Sequence, residues 1–321
     1  MLLYVLSMLA GFGLLIWGAD RMVVGAAVTA NNMGVSPMLV GLTVVGFATS
    51  APEILVSATA ALHGAPHLAI GNALGSNIAN IGLVMGFAAI IQPLAVRSQT
   101  LSRELPVMLA VSVLPVLLFP DQTLGRADGI FLLLVFIGFL YWIIKLGIKT
   151  HGHDPIEAEY SDDIPIGISP GKAWLWIAVG LAVLVLGSEF LVSGAKGFAQ
   201  ALGISELVVG VTVLAIGTSL PELAVSLVSI RRGHHGLALG NIIGSNAFNT
   251  LAVLGVAATI HPTTLDLDTV RLHLPVMLAF TVAFFFMAYN YDGSMRVNRF
   301  SGFLLLSGFI AYHSYVAYQT Y

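Results

Sequence analysis

Long apolar runs separated by short polar, glycine-, proline- or charge-rich breaks make up almost the whole chain. Ten runs stand out, at about 3–24, 36–60, 68–92, 104–120, 126–148, 173–195, 205–230, 237–260, 272–290 and 299–318. A helix needs about 20 apolar residues to cross a bilayer, and these runs have that length. Membrane β-strands are shorter and alternate with period two, a pattern the chain lacks. The expectation is an all-α integral membrane protein of ten transmembrane helices.

Composition agrees. The 321 residues carry 13 Lys/Arg and 16 Asp/Glu, and 57% are hydrophobic. A soluble chain of this length would hold roughly a quarter charged residues. The mean hydropathy is +0.92. A net charge of −3 gives no electrostatic footprint for nucleic acid. With no cysteine there is no disulfide and no thiolate metal site. Residues 1–15 lack a basic leader and a cleavage site, and read as the start of the first span.

Basic residues orient the stack. Counted from an outside N-terminus, inner loops and helix ends collect Arg21, Arg97, Arg103, Lys145, Lys149, Lys172, Arg231, Arg232, Arg296 and Arg299. The outer ones collect Arg126, Lys196 and Arg271. That bias places both termini outside. Residues 149–172 then form a cytoplasmic linker rich in acidic residues, including Asp154, Glu157, Glu159, Asp162 and Asp163. A regulatory cation site is conceivable there; a solvated linker is the simpler reading.

Shifted by 169 residues, Gly11–Pro93 aligns with Gly180–Pro262 without a gap, and 34 of the 83 positions are identical. The best-matched blocks are Gly41–Glu53 (GLTVVGFATSAPE) with Gly210–Glu222 (GVTVLAIGTSLPE), and Gly71–Asn80 (GNALGSNIAN) with Gly240–Asn249 (GNIIGSNAFN). The expected organisation is a first five-helix repeat at 1–148, the linker at 149–172, and a second repeat at 173–321. Five is odd, so the second copy enters the membrane from the other side. Such inverted repeats are a transporter architecture with a midplane site between the copies.

Acidic residues inside spans are costly, and each is a functional candidate. Asp20 and Glu189 form one repeat-related pair, Glu53 and Glu222 another. Pro52 and Pro221 precede the second pair, so the carbonyls of Ala48 and Gly217 lose their helical donors. Thr49, Ser50, Thr218 and Ser219 lie three or four residues before the glutamates, on the same helical face. Along the next helix of each half, Asn72, Ser76 and Asn80 form a stripe that Asn241, Ser245 and Asn249 repeat. Gly71/Gly75 and Gly240/Gly244 are spaced to let another helix approach. His63, His67, His234 and His235 fall in short connections and are expected to be exposed.

Carboxylate, hydroxyl, amide and carbonyl oxygens suit hard cations such as Ca²⁺ and Na⁺. Two facing carboxylates would be neutralised by one Ca²⁺ or two Na⁺. Sealing them away empty is expensive, which favours obligatory exchange. Asp20 and Glu189 sit nearer helix ends, where pairing with a neighbour such as Arg21 is the structural alternative.

At these blocks the sequence resembles the sodium/calcium exchanger superfamily, specifically its short prokaryotic calcium/sodium antiporters, which are related to the K⁺-dependent exchangers. The resemblance covers the whole chain. It implies Ca²⁺/Na⁺ antiport by alternating access in a prokaryotic plasma (inner) membrane. Glu53 and Glu222 would be the central cation ligands, joined by Thr49, Ser50, Thr218, Ser219, Ser76, Asn80, Ser245 and Asn249, with carbonyls near Gly46 and Ala215. Asn72, Asn241, Asp20 and Glu189 are secondary candidates. The first and sixth helices would be the moving elements. Many exchangers carry Asp where this chain has Asn249, so neither the usual stoichiometry nor K⁺ co-transport follows. No cofactor is implied beyond the transported ions, and no partner beyond the bilayer and small cations.

The nearest competitor is a Ca²⁺/H⁺ antiporter using the same two glutamates. A passive cation channel would use the same acids without inverted repeats. An intramembrane enzyme would need a nucleophile or zinc motif, and the chain has no GxSxG, no HExxH and no Cys.

Overall fold

The computed structural model describes residues 1–33, 37–64, 66–97, 101–150, 168–201, 217, 219–288 and 294–319. Helix α1 is Leu2–Met33, α2 covers 37–62, α3 is Pro66–Ile91, α4 Leu101–Leu118 and α5 Arg126–Thr150. In the second part α6 is Pro170–Ala201, α7 Leu220–Arg231, α8 His235–Ile260, α9 Thr269–Ala288 and α10 Arg299–Gln319. Eight of these are long and apolar enough to cross a bilayer; α4 is shorter, and α7 is described only from Leu220. Most of the linker, at 151–167, lies outside the described residues.

Burial separates an interior from a periphery. In α8, 89% of the apolar window is buried inside the protein, against 22% in α1 and in α10. Helix α8 is therefore the axle of the bundle. Ile242, Ile243 and Ala247 share one core with Ile70, Leu74 and Ile78 of α3. On the peripheral helices the apolar residues face outward, which is stable only where the solvent is lipid.

Helices α1 and α6, each 32 residues, are longer than the apolar runs at 3–24 and 173–195. At about 1.5 Å per residue each is about 48 Å long, well beyond a hydrocarbon core of about 30 Å. The charged pair Asp20–Arg21 does not end α1. Arg21 lies over the rings of Trp17 and Trp176, and beyond it a run of small residues from Met22 to Ala30 stays buried. The two helices run antiparallel along a seam of glycines spaced by seven. A Cβ on Gly18 would fall 2.9 Å from the Gly180 carbonyl, and one on Gly180 would fall 2.7 Å from the Gly18 carbonyl. Gly187 meets the Gly11 carbonyl, Gly25 that of Ala173, and Gly194 that of Tyr4. The 169-residue shift maps each contact onto another with the helices exchanged.

Two strand pairs among the described residues, absent from the sequence expectation, repeat the exchange in topological order, though not at the 169-residue spacing. Strand β1 (Leu94–Arg97), after α3, pairs antiparallel with β4 (Ser294–Val297), before α10. Strand β3 (Thr263–Thr264), after α8, pairs with β2 (Thr123–Leu124), before α5. Gly64 (φ 76°) and Gly233 (φ 78°), also 169 apart, turn the chain after α2 and α7 in a conformation that side chains resist. The tight second turn folds His234 inward. It is 4% exposed, not exposed as expected, and its amide bonds the Ser229 carbonyl at 2.8 Å.

Candidate functional site

Among the described residues, four π-helical turns interrupt the helices, at Gly41–Val45, Asn80–Met85, Asn249–Val253 and Thr269–His273. Two begin at the last residues of the polar stripes, Asn80 and Asn249. The wider turns loosen the regular backbone ladder where polar side chains gather.

Glu53, in α2, and Glu222, in the first turn of α7, are each 1% exposed. They lie close enough for their charges to repel. Thr49, Ser50 and Ser219 are buried with them. The Thr49 hydroxyl lies 3.0 Å from Asn241 Oδ1, 3.1 Å from the Val45 carbonyl and 3.4 Å from the Ser245 hydroxyl. It also lies 3.4 Å from the Gly46 carbonyl, which places that oxygen beside the cluster. A Cβ on Gly46 would sit 3.2 Å from the Phe248 ring and 3.3 Å from the Ser245 amide, so the missing side chain eases the close approach of α8. Thr218 and Ala215 lie outside the described residues.

The stripes divide into positioning and free groups. Asn72 donates to Ser57 at 3.1 Å and to the Glu53 carbonyl at 3.4 Å. Asn241 donates to Ser226, the repeat partner of Ser57, at 3.3 Å. Both amides brace the glutamate helices. At the far end of each stripe the pattern reverses. Both carboxylate oxygens of Glu53 and of Glu222, both amide atoms of Asn80 and of Asn249, and the Ser50 and Ser219 hydroxyls are buried without a hydrogen-bond partner. Every one of these residues is matched by its counterpart 169 positions away. Buried ionised carboxylates without partners cost several kcal/mol each. A cluster of such oxygens is balanced by cations with oxygen ligands. Ser76 and Ser245 are buried in the same helices.

Asn77 and Asn246 belong to the set and were missed in the sequence. Each has a buried Oδ1 without a partner. Asn77 Nδ2 donates to Thr250 Oγ1 at 2.8 Å, tying α3 to α8. Both asparagines stand in the GSN motif, so the 169-residue rule could have found them. Glu104, in the first turn of α4, is another buried carboxylate. Its repeat counterpart is His273, so a search for paired acids passes over it.

The other candidates stand apart. Asp20 pairs with Arg232 at the end of α7, not with Arg21. Glu189 is exposed on α6. Gly244 approaches the Leu42 carbonyl closely, as its spacing predicts, whereas no described residue comes within 4 Å of a Cβ placed on Gly71 or Gly75. The Gly217 carbonyl accepts a 2.7 Å hydrogen bond from Ser188 of α6. Among the described residues, no three His, Cys, Asp or Glu cluster as a transition-metal site would require.

The chain matches the sodium/calcium exchanger protein family in two blocks, residues 3–145 and 172–318. It belongs to the sodium/calcium exchanger family. It is 46% identical over 306 residues to the putative antiporter CaxA of Alkalimonas amylolytica, covering 95% of this chain and 96% of that one. It is 40% identical over 286 residues to the inner membrane protein YrbG of Escherichia coli, covering 88% of each. The solved sodium/calcium exchanger of Methanococcus jannaschii superposes with a TM-score of 0.83 at 34% identity, over 98% of both chains. This exchanger is therefore a predominantly helical membrane transporter and not an enzyme. The two matched blocks carry the two glutamate helices and both asparagine stripes.

Proposed function

We propose that the protein is a Ca²⁺/Na⁺ antiporter working by alternating access. The cations bind midway through the membrane, between two inverted five-helix halves. The observation that carries the proposal is the repeat-paired set of partnerless oxygens on Glu53, Glu222, Ser50, Ser219, Asn80, Asn249, Asn77 and Asn246, drawn equally from both halves. The printed names of the relatives, an antiporter and a sodium/calcium exchanger, point the same way.

Glu53 and Glu222 are the charged ligands. Thr49, Ser50, Thr218, Ser219, Ser76, Ser245, Asn80 and Asn249 supply neutral oxygens, with carbonyls near Gly46 and Ala215. One Ca²⁺ or two Na⁺ balances the pair of carboxylates, so each stroke carries a neutralised site. Inversion of the halves is supported by the reciprocal glycine seam between α1 and α6 and by the exchanged strand pairs. Seated beside the buried core and joined to each other, α1 and α6 form the mobile unit. The basic-residue bias puts both termini outside and the linker in the cytoplasm, and the membrane is the prokaryotic plasma membrane.

The test is ⁴⁵Ca²⁺ uptake into proteoliposomes loaded with Na⁺ and diluted into Na⁺-free buffer at matched pH. Uptake that needs the Na⁺ gradient and ignores a protonophore is the expected result. Uptake driven only by a pH gradient would replace Na⁺ with H⁺ as the coupling ion. Single-channel currents would remove alternating access.

A further inference from the structure

An apolar groove of about 290 Å³ runs along the outer face of α7. Leu223, Ala224 and Leu227 of α7 floor it; Ile16 of α1 and Phe87 of α3 wall it; Arg231 closes one end. Ile16 and Phe87 are exposed, so the groove opens sideways from the bundle, where the hydrocarbon of the bilayer lies. Its polar end is a single charge. Arg232 is taken by Asp20, whereas Arg231 has no ion pair with any described residue.

Length identifies the occupant. From Leu220 to Arg231 α7 climbs eleven residues, about 16 Å at about 1.5 Å per residue. Half of a hydrocarbon core of about 30 Å is about 15 Å. The groove thus reaches from the turn that holds Glu222 to the bilayer surface, the depth of one leaflet. An acyl chain fills such a slot, and a guanidinium at its mouth matches a phosphate. Basic pockets between membrane helices select acidic headgroups.

We propose that an anionic phospholipid docks in this groove, with one acyl chain lying between α1, α3 and α7 and its phosphate held by Arg231. The lipid contacts both α1 and the helix that carries Glu222. The site goes beyond cation exchange and is independent of which cations are exchanged.

Native mass spectrometry of the full chain in detergent tests it, with phosphatidylglycerol or phosphatidylcholine of the same acyl chains added. The expected result is one retained lipid, with phosphatidylglycerol preferred about fivefold, the effect of one basic residue at an acidic headgroup. Arg231→Gln, at an exposed position, abolishes the preference. Leu227→Trp fills the floor and weakens both lipids; Ile16→Trp narrows the mouth and does the same should the first variant fail to fold. Equal retention of the two lipids by the unaltered chain, an unchanged preference in Arg231→Gln, or full retention by a folded filling variant would overturn the proposal. Since retention is read without transport, a failure here is distinct from a failure of Ca²⁺/Na⁺ exchange.

Discussion

Ser188 of α6 donates a 2.7 Å hydrogen bond to the carbonyl of Gly217, the oxygen that Pro221 leaves without its helical donor. In the first half the matching residue is Ala19, which has no hydroxyl. The two halves therefore differ at the contact between a long antiparallel helix and a glutamate helix. Ser188→Ala orphans a buried carbonyl, at a cost of about 1–3 kcal/mol. Thermal unfolding in detergent should show that loss, and Ala19→Ser should not. An unchanged melting temperature in Ser188→Ala would show that the carbonyl finds another donor.

Glu53→Gln and Glu222→Gln each remove one of the two charges that a divalent cation needs. Ca²⁺ uptake in Na⁺-loaded proteoliposomes should fall more than tenfold in either variant, at least about 1.4 kcal/mol of lost binding. Membrane insertion and monodispersity should be retained, because a neutral amide is easier to bury than a carboxylate. Normal exchange by both variants would remove the glutamates from the mechanism.

Asn249 is buried with both amide atoms unpartnered, like the carboxylates of Glu53 and Glu222 with which it is proposed to bind the cation. Asn249→Asp adds a third negative charge at low effective dielectric, where attraction for a divalent ion grows. The expected outcome is several-fold tighter Ca²⁺ binding with slower turnover, measured as a lower KM and a lower maximal uptake rate. Asn72→Ala should behave differently. It frees Ser57 and the Glu53 carbonyl, and lowers the rate through misplacement of Glu53 without adding or removing charge.

The Gly18–Gly180 crossing leaves no room for a side chain. Gly180→Val forces α1 and α6 apart, an overpacking cost of about 1–3 kcal/mol, and should disable transport more than it disables insertion. The Asp20–Arg232 pair is partly exposed on both sides, and such pairs contribute only about 0–1 kcal/mol. A double-mutant cycle on Asp20→Asn and Arg232→Gln should yield a coupling in that range, measured by thermal unfolding.

Apolar runs placed most helices to within a few residues, because the bilayer demands a long continuous hydrophobic segment and penalises anything else. The runs at 36–60, 126–148 and 299–318 correspond to helices at 37–62, 126–150 and 299–319. Residue type and the 169-residue repeat were enough to nominate Glu53, Glu222, Asn80 and Asn249. Those features are local or periodic, and a sequence displays both. The length of α1 and α6 was hidden, since a polar pair at Asp20–Arg21 looks like a helix end until Trp176 arrives from another helix to cover Arg21. Which asparagines brace and which stay free was equally hidden. Asn72 and Asn80 lie on one stripe, yet one reaches Ser57 while the other has no partner. The strand pairs, the Ser188–Gly217 bond and the lipid-facing groove all join segments far apart in the chain. Hydrophobic patterning determined where the chain crosses the membrane; only three-dimensional packing decided which buried polar atoms find each other and which are left without a partner.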